Sequence, residues 1–260
     1  MSAKIIFALI LGSSVGAVSG YLGSLMLTKR MTLMGGALGH LALPGIALAL
    51  LYDFDVSLGA ALFLALGVLT IGYLERKTGL HLEALTAVVF SASLATAFLF
   101  LPKEELDIAL LGDVSQISSM SVLITVLLSL VLYGGIKSIY SDMVLASISA
   151  DLAQINGVNL KFNNTLYLIC IAVTVALGVR IVGGLMTAAL LAIPACTAKN
   201  ISSNLHQYSI ISTITGALAC ILGIVSSTFT AIPAGPLIII ASALLFLISV
   251  VKKFQKPMKS

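Results

Sequence analysis

Gly235-Pro236-Leu237-Ile238-Ile239-Ile240-Ala241-Ser242-Ala243-Leu244-Leu245-Phe246-Leu247-Ile248-Ser249-Val250-Val251 carries no charge and is closed by Lys252-Lys253. As a helix, such a run fills most of the roughly 30 Å of hydrocarbon in a bilayer. Apolar runs of similar kind stand at 5–28, 34–52, 57–74, 82–101, 120–138, 163–180, 182–198 and 208–230. The whole chain is 59% hydrophobic and 9% charged, with a mean hydropathy of +1.14. Soluble domains carry about 25% charged residues, so this chain cannot solvate an ordinary surface. The expectation is an all-α, polytopic transmembrane helical bundle of about nine spans, a single membrane domain over residues 1–260.

Some boundaries are finer readings. Only Arg180 and Gly183-Gly184 part the sixth run from the seventh, and residues 106–118 have the composition of a short interfacial or re-entrant helix. The first run is followed by Thr28-Lys29-Arg30, where a cleaved leader would have small residues, so it reads as a retained span. Cys170, Cys196 and Cys220 lie inside apolar runs and behave as small hydrophobes, not as a disulfide framework. The net charge of +4 is spread along the chain instead of forming a patch, which argues against nucleic acid as a partner.

Orientation follows from lysine and arginine in the short loops. With the C-terminus in the cytoplasm, that side collects Lys29, Arg30, Arg76, Lys77, Lys137, Lys161, Lys199, Lys252, Lys253, Lys256 and Lys259. The outer side keeps only Lys4, Lys103 and Arg180, so nine spans leave the N-terminus outside. The outer loops hold most of the acids, among them Asp53, Asp55, Glu104, Glu105, Asp107 and Asp113. The longest polar interruption, 139–162, is then cytoplasmic, and its composition predicts a short helix stopped at Gly157. Such a helix either docks a partner or simply connects two spans.

Once ionisable residues near span ends are set aside, His40 remains deep in the hydrocarbon. Gly35, Gly36 and Gly39 precede it, and Pro44 and Gly45 follow. Proline removes a backbone hydrogen bond and small residues let helices approach closely, so the second run is expected to be broken or tightly packed beside a polar path. A lone buried histidine is either a structural residue or a ligand. Neutral imidazole suits zinc and similar borderline metals, but one imidazole cannot make the three- or four-ligand site that holds zinc tightly. A translocation path needs contacts that release, and two copies of His40 across a dimer axis would supply them. Gly183-Gly184 through Pro194 repeats the Gly-Gly start and late proline in a run of opposite direction, the pattern of an inverted repeat.

Met31-Thr32-Leu33-Met34-Gly35-Gly36-Ala37-Leu38-Gly39-His40 with Leu43-Pro44-Gly45 resembles the signature of the bacterial zinc/manganese/iron ABC permease family. Leu111-Gly112-Asp113, then Ser149-Ala150-Asp151-Leu152-Ala153 with Gly157, match in the same order. Val182-Gly183-Gly184-Leu185 through Ile193-Pro194-Ala195-Cys196-Thr197-Ala198 and Pro233-Ala234-Gly235-Pro236 complete the series. The resemblance covers nearly the whole chain and is nearest to the family's zinc-uptake permeases, especially over 142–253. It implies a multi-pass protein of the bacterial inner membrane that works as a homodimer. Two cytoplasmic ABC ATPase subunits and an extracytoplasmic metal-binding protein would be its partners. No cofactor would reside in it, and zinc or another divalent metal would be its cargo.

The resemblance also implies residue roles. His40 would line the metal path, and Ser149, Asp151, Leu152, Ala153 and Gly157 would couple to the ATPase. Gly35, Gly36, Pro44, Gly45, Gly183, Gly184 and Pro194 would break or pack helices, and Asp53, Asp55 and Asp113 would stand at the outer mouth. Family members commonly carry an aspartate four residues before the histidine, where this chain has Gly36. Loss of that carboxylate disfavours the harder manganese relative to zinc. The chain has no Walker A pattern, so it is not itself the ATPase.

Three alternatives follow from the same residues. A manganese or iron importer of the same family differs only in cargo. A secondary transporter needs intramembrane acids for ion coupling, and none stands away from the span ends. An intramembrane hydrolase using His40 needs a nucleophile or a His-Glu-x-x-His pattern, and neither motif is present.

Overall fold

Small residues set the close contacts of this bundle, because lipid tails offer helices little hydrophobic reason to associate and packing must do so instead. The computed structural model describes residues 3–52, 54, 56–80, 82–100, 119–183, 186–230 and 232–255. Among them are eleven helices and no strand: α1 Ala3–Thr28, α2 Thr32–Leu41, α3 Leu43–Leu51, α4 Val56–Thr78, α5 Leu82–Phe100, α6 Ser119–Ile148, α7 Ala150–Ile155, α8 Leu160–Val182, α9 Thr187–Ile201, α10 Leu205–Ser227 and α11 Ala234–Gln255.

Helix α1 runs through the centre and packs on α6, α8, α9 and α10. Gly12, Gly16 and Gly20 recur every fourth residue along the face that meets α10. A Cβ at Gly16 would strike the Gly216 carbonyl, and one at Gly20 would strike the Ser212 carbonyl. The approach is mutual, since a Cβ at Gly216 would meet the Gly16 carbonyl. The buried Ser212 hydroxyl donates to the Gly20 carbonyl and ties the two backbones together. Leu22, Leu25, Met26, Tyr167, Ile171 and Val175 fill the core between α1 and α8. On the outside, Leu58, Leu62, Leu66, Leu69 and Tyr73 form an exposed stripe along α4 at three- and four-residue spacing, as a lipid-facing surface requires.

Among the described residues each of the nine expected runs overlaps a helix, but the helices differ in length. Among the described residues, six helices are long and apolar enough to cross a bilayer: Ile5–Thr28, Leu58–Glu75, Ser119–Ile148, Leu160–Val179, Leu205–Ser227 and Ala234–Phe254. The run at 34–52 is two short helices, α2 and α3, meeting at Ala42. The run at 182–198 becomes α9, which is 15 residues long and starts only at Thr187. The helix that carries the fifth run extends ten residues past the end of that run at 138. Helix α6 is 30 residues long, about 45 Å at 1.5 Å per residue, and continues to Ile148. Polar residues from Lys137 onward mark the end of the lipid-soluble part, not of the helix, because Ile136, Ile139, Tyr140 and Met143 stay buried against the bundle. The proposed helix within 106–118 lies outside the described residues.

Candidate functional site

His40 sits in the last turn of α2, half-buried, between the buried residues Leu38 and Leu41. Pro44 lies four residues on, in the first turn of α3. It has no N–H to donate to the His40 carbonyl, and the helix divides there. Beside the break, Ser93 on α5 donates its hydroxyl to the Leu41 carbonyl at 3.4 Å. Gly45 lets α3 sit directly on α4, since a Cβ there would meet the Gly59 carbonyl.

The imidazole of His40 lies 5.4 Å from the Phe90 ring of α5, centre to centre and tilted by 44°. Its Nδ1 is buried and has no hydrogen-bond partner among the described residues. A histidine kept for structure would normally have both nitrogens satisfied. Here aromatic packing orients the ring while a nitrogen is left uncommitted. Among the described residues no group of three or more His, Cys, Asp or Glu side chains could hold a metal. The chemistry available at α2 is therefore one imidazole, a weak donor set.

The second interruption has the same ingredients. Helix α8 ends at Gly183, whose φ of +81° is a backbone conformation open to glycine and strained for other residues. The buried Thr187 hydroxyl donates back to the Gly183 carbonyl at 2.7 Å. Pro194, by contrast, does not break its helix: α9 runs through it. Thr215 of α10 donates to the Pro194 carbonyl at 3.3 Å. Helices α2 and α9 pack against each other, so the two interrupted stretches meet in space. Gly35 and Gly36 lie in α2. Asp53, Asp55, Asp113 and Gly184 lie outside the described residues.

The segment after α6 forms a capped miniature helix. Ser149 accepts a hydrogen bond from the Leu152 N–H at 3.2 Å and starts α7. At the other end the Val158 N–H reaches the Ala153 carbonyl at 3.0 Å and the Gly157 N–H reaches the Gln154 carbonyl at 2.9 Å. With Gly157 at φ +78° this is a Schellman stop. Only Ala153 of α7 is buried, against α6 and α8. Asp151, Leu152 and Ile155 point outward, with Ile148 and Phe162 exposed beside them.

Sequence reasoning missed Phe90 and Ser93, which no spacing links to His40. It also missed the α1 glycines, although their four-residue repeat is visible in the chain.

A bundle of membrane-length helices with two interrupted helices packed together has the architecture of a membrane permease. The chain belongs to the ABC 3 transport family, which it matches over residues 1–253. It is 26% identical over 246 residues to the manganese transport system membrane protein MntC of Listeria monocytogenes, covering 93% of this chain and 88% of that one. It is 29% identical over 249 residues to the high-affinity zinc uptake system membrane protein ZnuB of Buchnera aphidicola, covering 93% and 95%. Among solved structures it is similar to PsaBC from Streptococcus pneumoniae in complex with Fab. That likeness has a TM-score of 0.81 at 25% identity and covers 95% of this chain and 91% of that chain.

Proposed function

We propose that this chain is the permease subunit of an ATP-binding-cassette importer that moves a divalent metal ion, zinc, into the bacterial cytoplasm. The observation that carries the reading is His40: an imidazole with an uncommitted nitrogen, at a proline-broken helix, inside a membrane bundle. One imidazole binds too weakly to trap an ion, which is what a conducting path needs. Imidazole with Gly36 in place of a carboxylate suits zinc better than a harder cation.

The working unit would be a homodimer in the inner membrane, each copy with nine spans, its N-terminus outside and its C-terminus in the cytoplasm. Two copies of α2 would then present two imidazoles to the path. The exposed apolar side chains Leu152 and Ile155 on α7, next to Asp151, support docking of a cytoplasmic ATPase. An extracytoplasmic binding protein would deliver the ion at the side bearing Asp53, Asp55 and Asp113. ATP binding would close the ATPase pair, move α7 and switch the path between outward and inward openings. Manganese is the second reading, favoured by the manganese-named relative from Listeria.

The test is uptake of labelled zinc by cells without their own zinc importer, expressing this chain with its cognate partners. Wild type is expected to take up zinc against excess manganese or ferrous iron. His40→Ala should reach the membrane normally and lose at least tenfold in uptake. Normal uptake by the variant would make His40 a packing residue, and uptake of manganese alone would replace zinc as the cargo.

A further inference from the structure

Lys29 follows the last residue of α1, where a lysine ordinarily stretches toward headgroups and water. This one turns inward. Its Nζ donates to Asn164 Oδ1 of α8 at 3.3 Å and lies 3.9 Å from Met143 Sδ of α6. The Tyr167 ring of α8 lies under it at 5.0 Å. Met143 and Tyr167 are completely buried. Burial lowers the pKa of the ammonium from the ordinary lysine value, while the Glu75 carboxylate at the end of α4 pulls it back up. A charge kept in such surroundings needs a reason, because a lysine at a helix end has a stem long enough to carry its ammonium to water.

The backbone on either side supplies a reason. The Met31 N–H bonds to the Met26 carbonyl at 2.9 Å and the Arg30 N–H to the Leu27 carbonyl at 3.2 Å. This is a second Schellman turn, with Arg30 at φ 59° where glycine is usual. Only residues 29–31 separate α1 from α2, so a pull on Lys29 reaches α2 through a turn with no slack. On its other side, Lys29 grips the root of the hairpin that carries α7. That root is itself tied together: Asn163 of α8 donates to Asp142 Oδ2 of α6 at 3.2 Å.

We propose that Lys29 is a positioning residue of the transport cycle: it joins the α6–α7–α8 root to the α1–α2 turn, so that movement of α7 shifts the interrupted helix bearing His40. The proposal rests on the function proposed above and deepens it, because it names the link between the ATPase-facing helix and the metal path.

The experiment uses the complete transporter in liposomes, permease with its cognate ATPase, loaded binding protein outside and ATP inside. Zinc uptake and phosphate release are measured in the same vesicles. Lys29→Met keeps the aliphatic stem and removes the ammonium; it is expected to hydrolyse ATP within twofold of wild type while zinc moved per ATP falls at least fivefold. Asn164→Leu should produce a similar loss, and the double variant should be no worse than either single one. Lys29→Arg should recover at least half of the wild-type ratio.

A wild-type ratio in Lys29→Met overturns the proposal. So does a parallel fall of hydrolysis and uptake together with a lowered melting temperature, since that describes a residue needed only for stability. If Lys29→Met does not assemble, Asn164→Leu decides by the same ratio. Wild-type vesicles that hydrolyse ATP and move no zinc count against the function itself; a failure confined to Lys29→Met leaves that function standing.

Discussion

One added methyl group separates two kinds of glycine in this bundle. At Gly72 a Cβ would meet nothing within 4 Å. Gly72→Ala is expected to be neutral or stabilising by up to about 1 kcal/mol, the helix-propensity difference. At Gly20 the same methyl runs into a backbone carbonyl of α10, which has no rotamer to move to. Gly20→Ala should therefore cost about 1–3 kcal/mol, as overpacking does, and Gly20→Val more. Melting midpoints of the detergent-solubilised protein compare the three. Equal midpoints for Gly20→Ala and wild type would mean that close backbone approach does not hold α1 to α10. His40 illustrates a different point at this scale: the residue type named the chemistry, but the uncommitted Nδ1 and the Phe90 contact had to be seen.

Among the elements, α7 depends most on its ends. It is six residues long, far below the length at which a helix is stable in water by itself. Ser149→Ala removes the N-cap and should cost about 1 kcal/mol. Gly157→Val forces a β-branched side chain into the left-handed region and should cost at least about 1–2 kcal/mol. Amide hydrogen exchange across 152–158 is expected to speed up in both variants while α6 keeps its protection. Unchanged exchange in Ser149→Ala would show that contacts with α6 and α8, and not the cap, hold the helix. The length of α6 belongs here too: hydropathy marks where lipid stops, whereas continued helical bonding and the buried Ile139, Tyr140 and Met143 carry the helix onward.

For the whole molecule, the proposed nine-span arrangement makes a prediction about sides. Phe229, between α10 and α11, is 83% exposed, and Ile155 on α7 is 82% exposed, so either position takes a cysteine without disturbing the core. A membrane-impermeant maleimide added to intact cells should label Phe229→Cys at once and Ile155→Cys only after the membrane is opened. Cys170 and Cys220 are buried and Cys196 is partly so, so the unaltered chain should stay unlabelled as the control. The reverse labelling would invert the topology; labelling of both positions from outside would change the span count between them.

Composition and periodicity alone were enough to establish a helical membrane protein, because lipid tolerates only backbone that bonds within itself and side chains that need no water. Local chemistry was legible for the same reason: Pro44 can interrupt a helix, Gly157 can stop one, and Ser149 can start one, although Pro194 shows that a proline need not break the helix it sits in. Tertiary structure alone decided which neighbours these features meet. Ser93 reaches the broken strand of bonds at Leu41, α2 lies on α9, and Lys29 turns inward to Asn164 and Tyr167. Such pairings join residues far apart in the chain; Lys29 and Asn164 are 135 positions apart. They arise from which helix faces are small enough to approach, a property of two surfaces together that no single stretch of sequence contains.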